Sequence, residues 1–286
     1  MKLVTQSMHP VHLFGEEEAV RQLAKVGFDA IDWSFFEMDE WMAENWKEKA
    51  VRLKETVLTC GLSVTQAHAP FPSSAGNDVR DDEIMRTIHR SMEAAAFLGA
   101  GHIVVHPKQH VPYATHKEEL WKENVAMYRA LVPYCEQWGI KVCCENLWQV
   151  DKKRGYIVGS VCGTPDEFAA LLDEVNSPWI VGCLDLGHSA LVGVEPADFI
   201  RALGKGKLQA LHVHDVNYRR DCHNLPFTEK LDWESIAVAL REIGYQGEFT
   251  FEADNFLFGF PKELYQPAAR LMVETGRYLI RRIENP

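Results

Sequence analysis

The sequence lacks the features that mark membrane-spanning, disulfide-rich and zinc-knuckle proteins. No apolar run approaches the roughly 20 residues that cross a bilayer, and typical runs are as short as residues 103–105. The 7 cysteines are an odd number without a C-x-x-C pair, which argues against a disulfide framework or a zinc knuckle. Positive charge is scarce, because 30 Lys+Arg oppose 41 Asp+Glu and leave a net charge of −11. This composition predicts a globular protein with no obvious basic face for nucleic acid.

Targeting and linker segments are also lacking. No apolar signal region with a cleavage site follows the first residues, so we expect a cytoplasmic protein with no membrane partner. No Pro/Gly/Ser-rich linker interrupts the 286 residues, and alpha/beta barrels of about 250 residues commonly form one domain. We therefore expect a single domain over residues 1–286.

Short β-rich runs alternate along the chain with amphipathic segments of helical period, which is typical of an α/β protein. Eight strands are predicted at Leu3 to Gln6, Ala30 to Trp33, Leu62 to Ala67, His102 to His106, Lys141 to Glu145, Ile180 to Asp185, Leu208 to His212 and Glu248 to Glu252. The intervening helices are predicted at Glu16 to Val26, Trp41 to Thr59, Asp81 to Leu98, Lys117 to Trp138, Asp166 to Val175, Trp233 to Ile243 and Pro267 to Ile283.

Eight such units in one chain fit a (β/α)8 TIM barrel, and a doubly wound open sheet is the competing interpretation because it has the same alternation. Glycines at positions 27, 61, 99, 139 and 244 stand where left-handed helix C-termini are expected. Periodicity does not reveal strand order, so the residues at the strand ends must decide between the two folds.

Six consecutive predicted strands end at residues whose side chains can bind a metal ion. These are His68, His106, Glu145, Asp185, His212 and Glu252, at spacings of 38, 39, 40, 27 and 40 residues. The carboxyl ends of all barrel strands converge on one mouth, whereas an open sheet would hold its outer strands apart. Convergence of these residues on one site favours the barrel.

Three further metal-competent side chains lie in loops just beyond the strand ends, at His188, Asp221 and His223. Buried carboxylates that meet without a cation would repel one another. A mixture of imidazole and carboxylate suits zinc, manganese, cobalt or iron, whereas an all-oxygen set would suit magnesium or calcium. The pattern therefore predicts a divalent metal site.

The ordered motifs resemble those of the xylose isomerase-like barrel superfamily, which contains sugar phosphate isomerases and epimerases and the endonuclease IV type of abasic-site nuclease. The resemblance extends over nearly the whole chain. It is carried by Ala67-His68-Ala69-Pro70, Val105-His106-Pro107, Cys144-Glu145-Asn146, Leu184-Asp185-Leu186-Gly187-His188, His212-Val213-His214-Asp215, Asp221-Cys222-His223 and Phe251-Glu252-Ala253.

The resemblance implies site residues. The four-ligand core of ketose epimerases falls on Glu145, Asp185, His212 and Glu252, and the two glutamates of those relatives also move protons. The other five metal-competent residues match the positions that complete a three-metal cluster in the nuclease branch. The resemblance thus implies one to three divalent ions, zinc or manganese, in each chain.

A metal-assisted isomerase of this kind removes and returns a proton beside a carbonyl, through a cis-enediolate. We take Glu145 and Glu252 as the catalytic residues and expect a sugar or sugar phosphate as the substrate. Further substrate contacts are predicted at His9, Trp33, Lys108, Trp148, Arg219 and Arg220, where aromatic rings, imidazole and cations can meet hydroxyls or phosphate.

Three alternatives stay open. An abasic-site nuclease with three zinc ions would use all nine ligands, although the −11 charge and the loop sequence after Asp221 speak against it. A metal-dependent lyase or dehydratase can occupy the same barrel. A non-catalytic subunit is the third alternative, and a homo-oligomer is compatible with any of them.

Overall fold

The computed structural model describes residues 1–285. Its ten strands are β1 (Leu3–Gln6), β2 (Ala30–Ser34), β3 (Val64–His68), β4 (His102–Val104), β5 (Lys141–Glu145), β6 (Trp148–Asp151), β7 (Tyr156–Gly159), β8 (Ile180–Asp185), β9 (Leu208–His212) and β10 (Phe249–Phe251). The helices are α1 (Met8–Phe14), α2 (Glu16–Val26), α3 (Asp39–Met42), α4 (Trp46–Thr59), α5 (Asp78–Leu98), α6 (Tyr113–Trp138), α7 (Pro165–Val175), α8 (Leu186–Leu191), α9 (Pro196–Lys207), α10 (Trp233–Glu242), α11 (Asp254–Phe258) and α12 (Tyr265–Glu284), with a 3-10 turn at Lys262–Leu264.

Eight parallel strands form one sheet in the order β10-β1-β2-β3-β4-β5-β8-β9. The two ends of this order meet, because Val213 just after β9 pairs in parallel with Phe251 of β10. The amide of Val213 donates to the carbonyl of Thr250 at 2.8 Å, and the amide of Glu252 donates to the carbonyl of Val213 at 3.1 Å. The sheet is therefore a closed (β/α)8 barrel, which confirms the predicted fold over the open-sheet alternative.

The barrel interior lies directly beneath the strand ends. Cys143 and Cys183 precede Glu145 and Asp185 by two residues, so they share the inward face of their strands, and both are fully buried. The side chains of this interior layer form a small apolar cluster at Val104, Cys143, Val181, Cys183 and Ala210. The much larger core lies between the strands and the surrounding helices. All 7 cysteines are free thiols.

All eight predicted barrel strands are present; four have the predicted bounds, and the bounds of the other four differ by one or two residues. Strand β4 stops at Val104, so His106 lies in the loop, and β10 stops at Phe251, one residue before Glu252. The five glycines expected at helix C-termini all have positive φ, between 63° and 109°. No helix among residues 1–285 is long and apolar enough to cross a membrane.

Several elements were not predicted. The antiparallel hairpin of β6 and β7 pairs Trp148 with Gly159 and lies between β5 and the helix predicted from Asp166, where no element was predicted. Helix α9 also escaped prediction, although Pro196 stands at its first turn and Phe199, Ile200 and Leu203 are buried at helical spacing. The predicted helix from Trp41 is interrupted because Ala43 is extended, at φ −65° and ψ 155°.

The loop between β9 and α10 is organised by one buried carboxylate. Asp215 is fully buried and accepts hydrogen bonds from the amides of residues 229, 230 and 231 and from the indole of Trp233, at 3.0 to 3.1 Å. Because a carboxylate only accepts, four converging donors fix its position. This loop carries Asp221 and His223, so Asp215 holds two candidate ligands in place.

We predict that Asp215→Asn lowers the free energy of unfolding by about 2–4 kcal/mol, because an amide offers one acceptor oxygen and turns an NH2 group toward the remaining donors. Urea denaturation would measure the change. Asp198→Asn is the matched control, since that side chain is 74% exposed and should change stability by less than about 0.5 kcal/mol. Equal stabilities of the two variants would show that Asp215 does not organise the loop.

Candidate metal centre and active site

The structure brings all nine predicted ligands to one mouth of the barrel, where three groups together contain them, and within each group the ligand atoms lie within 4.8 Å of one another. The first group is His68, His106 and Glu145. The second group, which we call the central group, is Glu145, Asp185, His212 and Glu252. The third group is His188, Asp221 and His223, together with His214.

Glu145 connects the first and central groups. Its Oε2 atom lies 3.1 Å from Nε2 of His106 and 3.8 Å from Nε2 of His68. Its Oε1 atom lies 3.3 Å from Nδ1 of His212. The carboxylate is 1% exposed. Burial raises the pKa of Glu145, but the nearby imidazoles of His212 and His106 outweigh that effect and hold the pKa well below its usual range.

Glu252 approaches the same ring nitrogen of His212 as Glu145 does. Its Oε2 atom lies 3.2 Å from Nδ1 of His212, and its Oε1 atom accepts a hydrogen bond from the Gln6 amide at 2.8 Å. The Glu252 side chain is 12% exposed, compared with 1% for Glu145. The two carboxylates thus lie close to one imidazole nitrogen, and Glu252 is the more accessible.

Three histidines are oriented by backbone carbonyls. The Nδ1 atoms of His68, His188 and His223 lie 2.7, 2.9 and 2.8 Å from the carbonyl oxygens of Ala69, Asn146 and Glu252. Since a carbonyl only accepts, each Nδ1 carries a hydrogen, so Nε2 is the nitrogen that can bind a metal when the ring is neutral. Histidines that ligate metals are held in this way, with the second ring nitrogen donating to a carbonyl or a carboxylate.

The third group is held together by Asp221. Its Oδ2 atom lies 3.4 Å from Nε2 of His188, and its Oδ1 atom lies 3.2 Å from Nε2 of His223. Burial raises the pKa of Asp221, but hydrogen bonds from the two histidines lower that pKa far below its usual value. Burial alone would lower the pKa of His223, and the bond to Asp221 raises it to about 10. These shifts reflect charge pairing inside the mouth.

The donor set fits a divalent cation. Both carboxylate oxygens of Glu145 and both ring nitrogens of His212 are buried without a hydrogen-bond partner among residues 1–285. Such orphaned atoms are costly unless something else engages them. Imidazole nitrogens and carboxylate oxygens together are the ligands that zinc and manganese accept in proteins.

Unlike the nine candidate ligands, the residues predicted to contact substrate do not all lie together. The indole nitrogen of Trp148 donates to Oδ2 of Asp221 at 3.2 Å, which puts this side chain at the mouth. Arg219 and Arg220 are exposed on the turn that leads into Asp221, and their amides donate to the side chain of Asn217. These three residues remain candidates for substrate binding.

The structure does not bring three other candidates into the mouth. Trp33 packs on the helix side of β2, with its ring centroid 6.5 Å from that of Trp41, because its neighbour Asp32 occupies the inward face. The ammonium of Lys108 lies 3.8 and 4.0 Å from Asp81 and Glu123. The His9 ring is buried against Phe258, with centroids 4.7 Å apart.

Some site residues were missed by the sequence reasoning. His214 is fully buried beside Asp185. Asp32 is also buried, and its Oδ2 atom lies 3.7 Å from Nε2 of His212. The exposed ring of Phe71 stacks over His106, with ring centroids 5.1 Å apart. The spacing of two residues between His212 and His214 is a signal that could have identified His214.

Comparison with curated proteins finds relatives of several kinds. An uncharacterized protein of Methanocaldococcus jannaschii is 28% identical over 196 residues, which cover 66% of this chain and 64% of that protein. Fructoselysine 3-epimerase of Escherichia coli O157:H7 is 25% identical over 270 residues, covering 92% and 93%. A probable endonuclease 4 of Geobacter sp. (strain M21) is 26% identical over 200 residues, covering 63% and 67%.

Solved structures share the fold. A D-psicose 3-epimerase determined in the presence of D-fructose superposes with a TM-score of 0.76 at 18% identity, covering 98% of this chain and 99% of that one. The IOLI protein with a bound zinc atom gives a TM-score of 0.73 at 19% identity, covering 99% and 98%. At such identities these likenesses concern the barrel architecture.

The sequence profile described as xylose isomerase-like TIM barrel matches residues 20–275. This match spans every barrel strand except β1 and includes all nine candidate ligands. The chain belongs to the xylose isomerase-like TIM barrel family.

Proposed function

We propose that this protein is a divalent-metal-dependent isomerase or epimerase of a sugar or sugar phosphate. The observation that carries the proposal is the placement of carboxylate oxygens of both Glu145 and Glu252 close to Nδ1 of His212, at 3.3 and 3.2 Å. Relatives named as ketose 3-epimerases, among them the fructoselysine enzyme that aligns over 92% of this chain, support it. Zinc and manganese are the metals that we propose, with one to three ions in each chain.

The reaction requires a base beside a carbon that carries a weakly acidic hydrogen, and an acid that returns the proton. The central group would hold the cation, which when bound supplies Lewis acidity to a carbonyl and its adjacent hydroxyl. Glu252 has its Oε1 atom held by Gln6, and its Oε2 atom lies 3.2 Å from Nδ1 of His212. Glu145 has its Oε2 atom 3.1 Å from Nε2 of His106 and is the more deeply buried carboxylate. The two residues together can remove a proton and return it through an enediolate.

Deuterium exchange in heavy water tests this chemistry without knowledge of the product. We expect the protein, loaded separately with Mn²⁺ or Zn²⁺, to incorporate deuterium beside the carbonyl of at least one sugar in a panel of free and phosphorylated ketoses. Glu145→Gln and Glu252→Gln should each slow that exchange by about 100-fold or more, because general acid-base catalysis contributes 10²–10⁴-fold. Mass spectrometry measures the uptake.

Glu118→Gln is the matched control for these two variants, because Glu118 is exposed on α6 and should exchange at the parent rate. Metal content is measured in parallel, since Glu145 and Glu252 are also candidate ligands. Absence of exchange across the whole panel, in a protein that carries metal, would contradict proton transfer of this kind.

Metal binding is predicted to release protons. Burial alone would lower the pKa of His188 and of His223, but their carboxylate neighbours raise both, so these rings hold their protons to higher pH than a free imidazole does. Ligands bind a metal in their deprotonated form. Affinity should therefore rise with pH below about 10, the pKa of His223, by up to about tenfold per pH unit for each proton displaced.

Calorimetric titration with Zn²⁺ in buffers of different ionisation enthalpy counts the released protons. His223→Asn should release fewer protons than the parent, because it removes a titrating ring. A heat of binding that is the same in every buffer would show that no protons leave and would contradict the protonation states given above.

An abasic-site nuclease is the second candidate function, because each of the three groups could hold a metal ion and one relative is named a probable endonuclease 4. The net charge of −11 disfavours duplex DNA. We predict no metal-dependent cleavage of a duplex with one abasic site at physiological salt, as measured by gel electrophoresis. Cleavage at that site, without deuterium uptake by any sugar, would favour the nuclease.

A further inference from the structure

His214 lies at the edge of the central group and is outside the set of nine predicted ligands. It follows β9 by two residues and is fully buried. Its Nε2 atom lies 3.0 Å from Oδ1 and 2.9 Å from Oδ2 of Asp185. Because a carboxylate accepts and does not donate, Nε2 of His214 carries the hydrogen and donates it to Asp185.

The ring of His214 is confined on two sides. A Cβ atom added to Gly187 would lie 2.1 Å from Cε1 of His214, so the ring occupies space that only a glycine leaves free. One face of the ring stacks on His223, with centroids 4.0 Å apart and planes 6° from parallel. This confinement fixes where Nε2 meets Asp185.

Two roles are chemically open to such a histidine. It can be a fourth ligand in the third group, because one of its ring nitrogens lies within 4.8 Å of the ligand atoms of His188, Asp221 and His223. Alternatively, it can orient Asp185 for the central group. The hydrogen bonds and the stacking distinguish the two roles.

The geometry disfavours the role of ligand. The lone pair of an imidazole nitrogen lies in the ring plane, and two rings that share one cation must aim their lone pairs at a common point about 2.0–2.1 Å away. The rings of His214 and His223 are stacked 4.0 Å apart and nearly parallel, so their lone pairs lie in two parallel planes and do not meet at one point. Because Nε2 of His214 is engaged by Asp185, only Nδ1, which is buried without a hydrogen-bond partner among residues 1–285, is available to a metal, and the stacking on His223 opposes that.

We propose that His214 is a positioning residue that orients the carboxylate of Asp185 toward the central metal and does not ligate a metal itself. This inference rests on the proposed metal dependence. The hydrogen bond holds a carboxylate that is fully buried and limits the directions in which its oxygens can turn. Partners of metal ligands typically change metal affinity by 10- to 100-fold when they are removed.

Two amide variants of different reach test the proposal. His214→Gln keeps an N–H donor near the position of Nε2, whereas the shorter side chain of His214→Asn does not reach Asp185. We expect His214→Asn to weaken Mn²⁺ binding by about 10- to 100-fold and His214→Gln to restore most of that loss. Competition with a chromophoric chelator measures affinity, and elemental analysis counts the metal ions bound at saturation.

Two glycine variants test the same hydrogen bond without changing His214 itself. Gly187→Ala should displace the His214 ring and weaken Mn²⁺ binding as His214→Asn does. Gly206→Ala is the control, because no atom lies within 4 Å of its added Cβ, and its affinity should equal that of the parent. Circular dichroism verifies that each variant is folded, and the two His214 variants still decide the question if Gly187→Ala is not.

The outcomes separate this inference from the proposed function. Parent affinity in both His214 variants, or equal weakening in both, would overturn the positioning role. Loss of one bound ion at saturation in both variants would make His214 a ligand and would also overturn it. A parent protein that binds no divalent metal would overturn the proposed function together with this inference, whereas the first two results would leave metal-dependent exchange intact.

Discussion

The mutual repulsion of carboxylates in the barrel mouth is the constraint on which the site depends. Glu145 and Asp185 are almost completely buried, Glu252 is nearly so, and all three belong to one group of ligand atoms within 4.8 Å. Several negative charges at such distances in a medium of low polarity strongly disfavour one another. The surrounding histidines offset part of this cost as partners, and a divalent cation would offset more. The barrel can hold the carboxylates together because its parallel strands fix the backbone at each strand end.

Orientation is supplied largely by the main chain. Backbone carbonyls at residues 69, 146 and 252 accept from the Nδ1 atoms of three histidines, so the opposite nitrogen of each ring points into the mouth. The side chain of Asn146 accepts a hydrogen bond from the backbone amide of Asp185 at 2.7 Å and donates one to the backbone carbonyl of Asp185 at 2.9 Å. The loop that carries Asp221 and His223 is anchored at Asp215. A preorganised site of this kind needs little rearrangement, and therefore loses little free energy, when it binds a cation.

The sequence was informative about the barrel because metal-competent residues recur where successive strands end, close to 40 residues apart for four of the five intervals. The alternation of side chains along a strand also predicts which residues share its inward face. The alternation of Asp32 with Trp33 indicates that only one of them faces the mouth, and the pair His212 and His214 has the spacing of a shared face. These two inferences would have corrected Trp33 and added His214.

Other features depend on contacts between distant parts of the chain, which periodicity does not contain. Lys108 is drawn toward Asp81 and Glu123 on helices α5 and α6, and His9 is covered by Phe258 from α11. The hairpin of β6 and β7 has strands of only 4 residues each, too short for a clear periodic pattern. Such features follow from tertiary packing.

The central claim is that the convergent ligands form a metal centre. Anomalous X-ray diffraction from crystals grown with Mn²⁺, recorded on both sides of the manganese absorption edge, tests it most directly. We expect an anomalous peak among Glu145, Asp185, His212 and Glu252, at about 2.0–2.2 Å from the ligand atoms. A map without a peak in the barrel mouth, from crystals in which Mn²⁺ is bound elsewhere or nowhere, would contradict it.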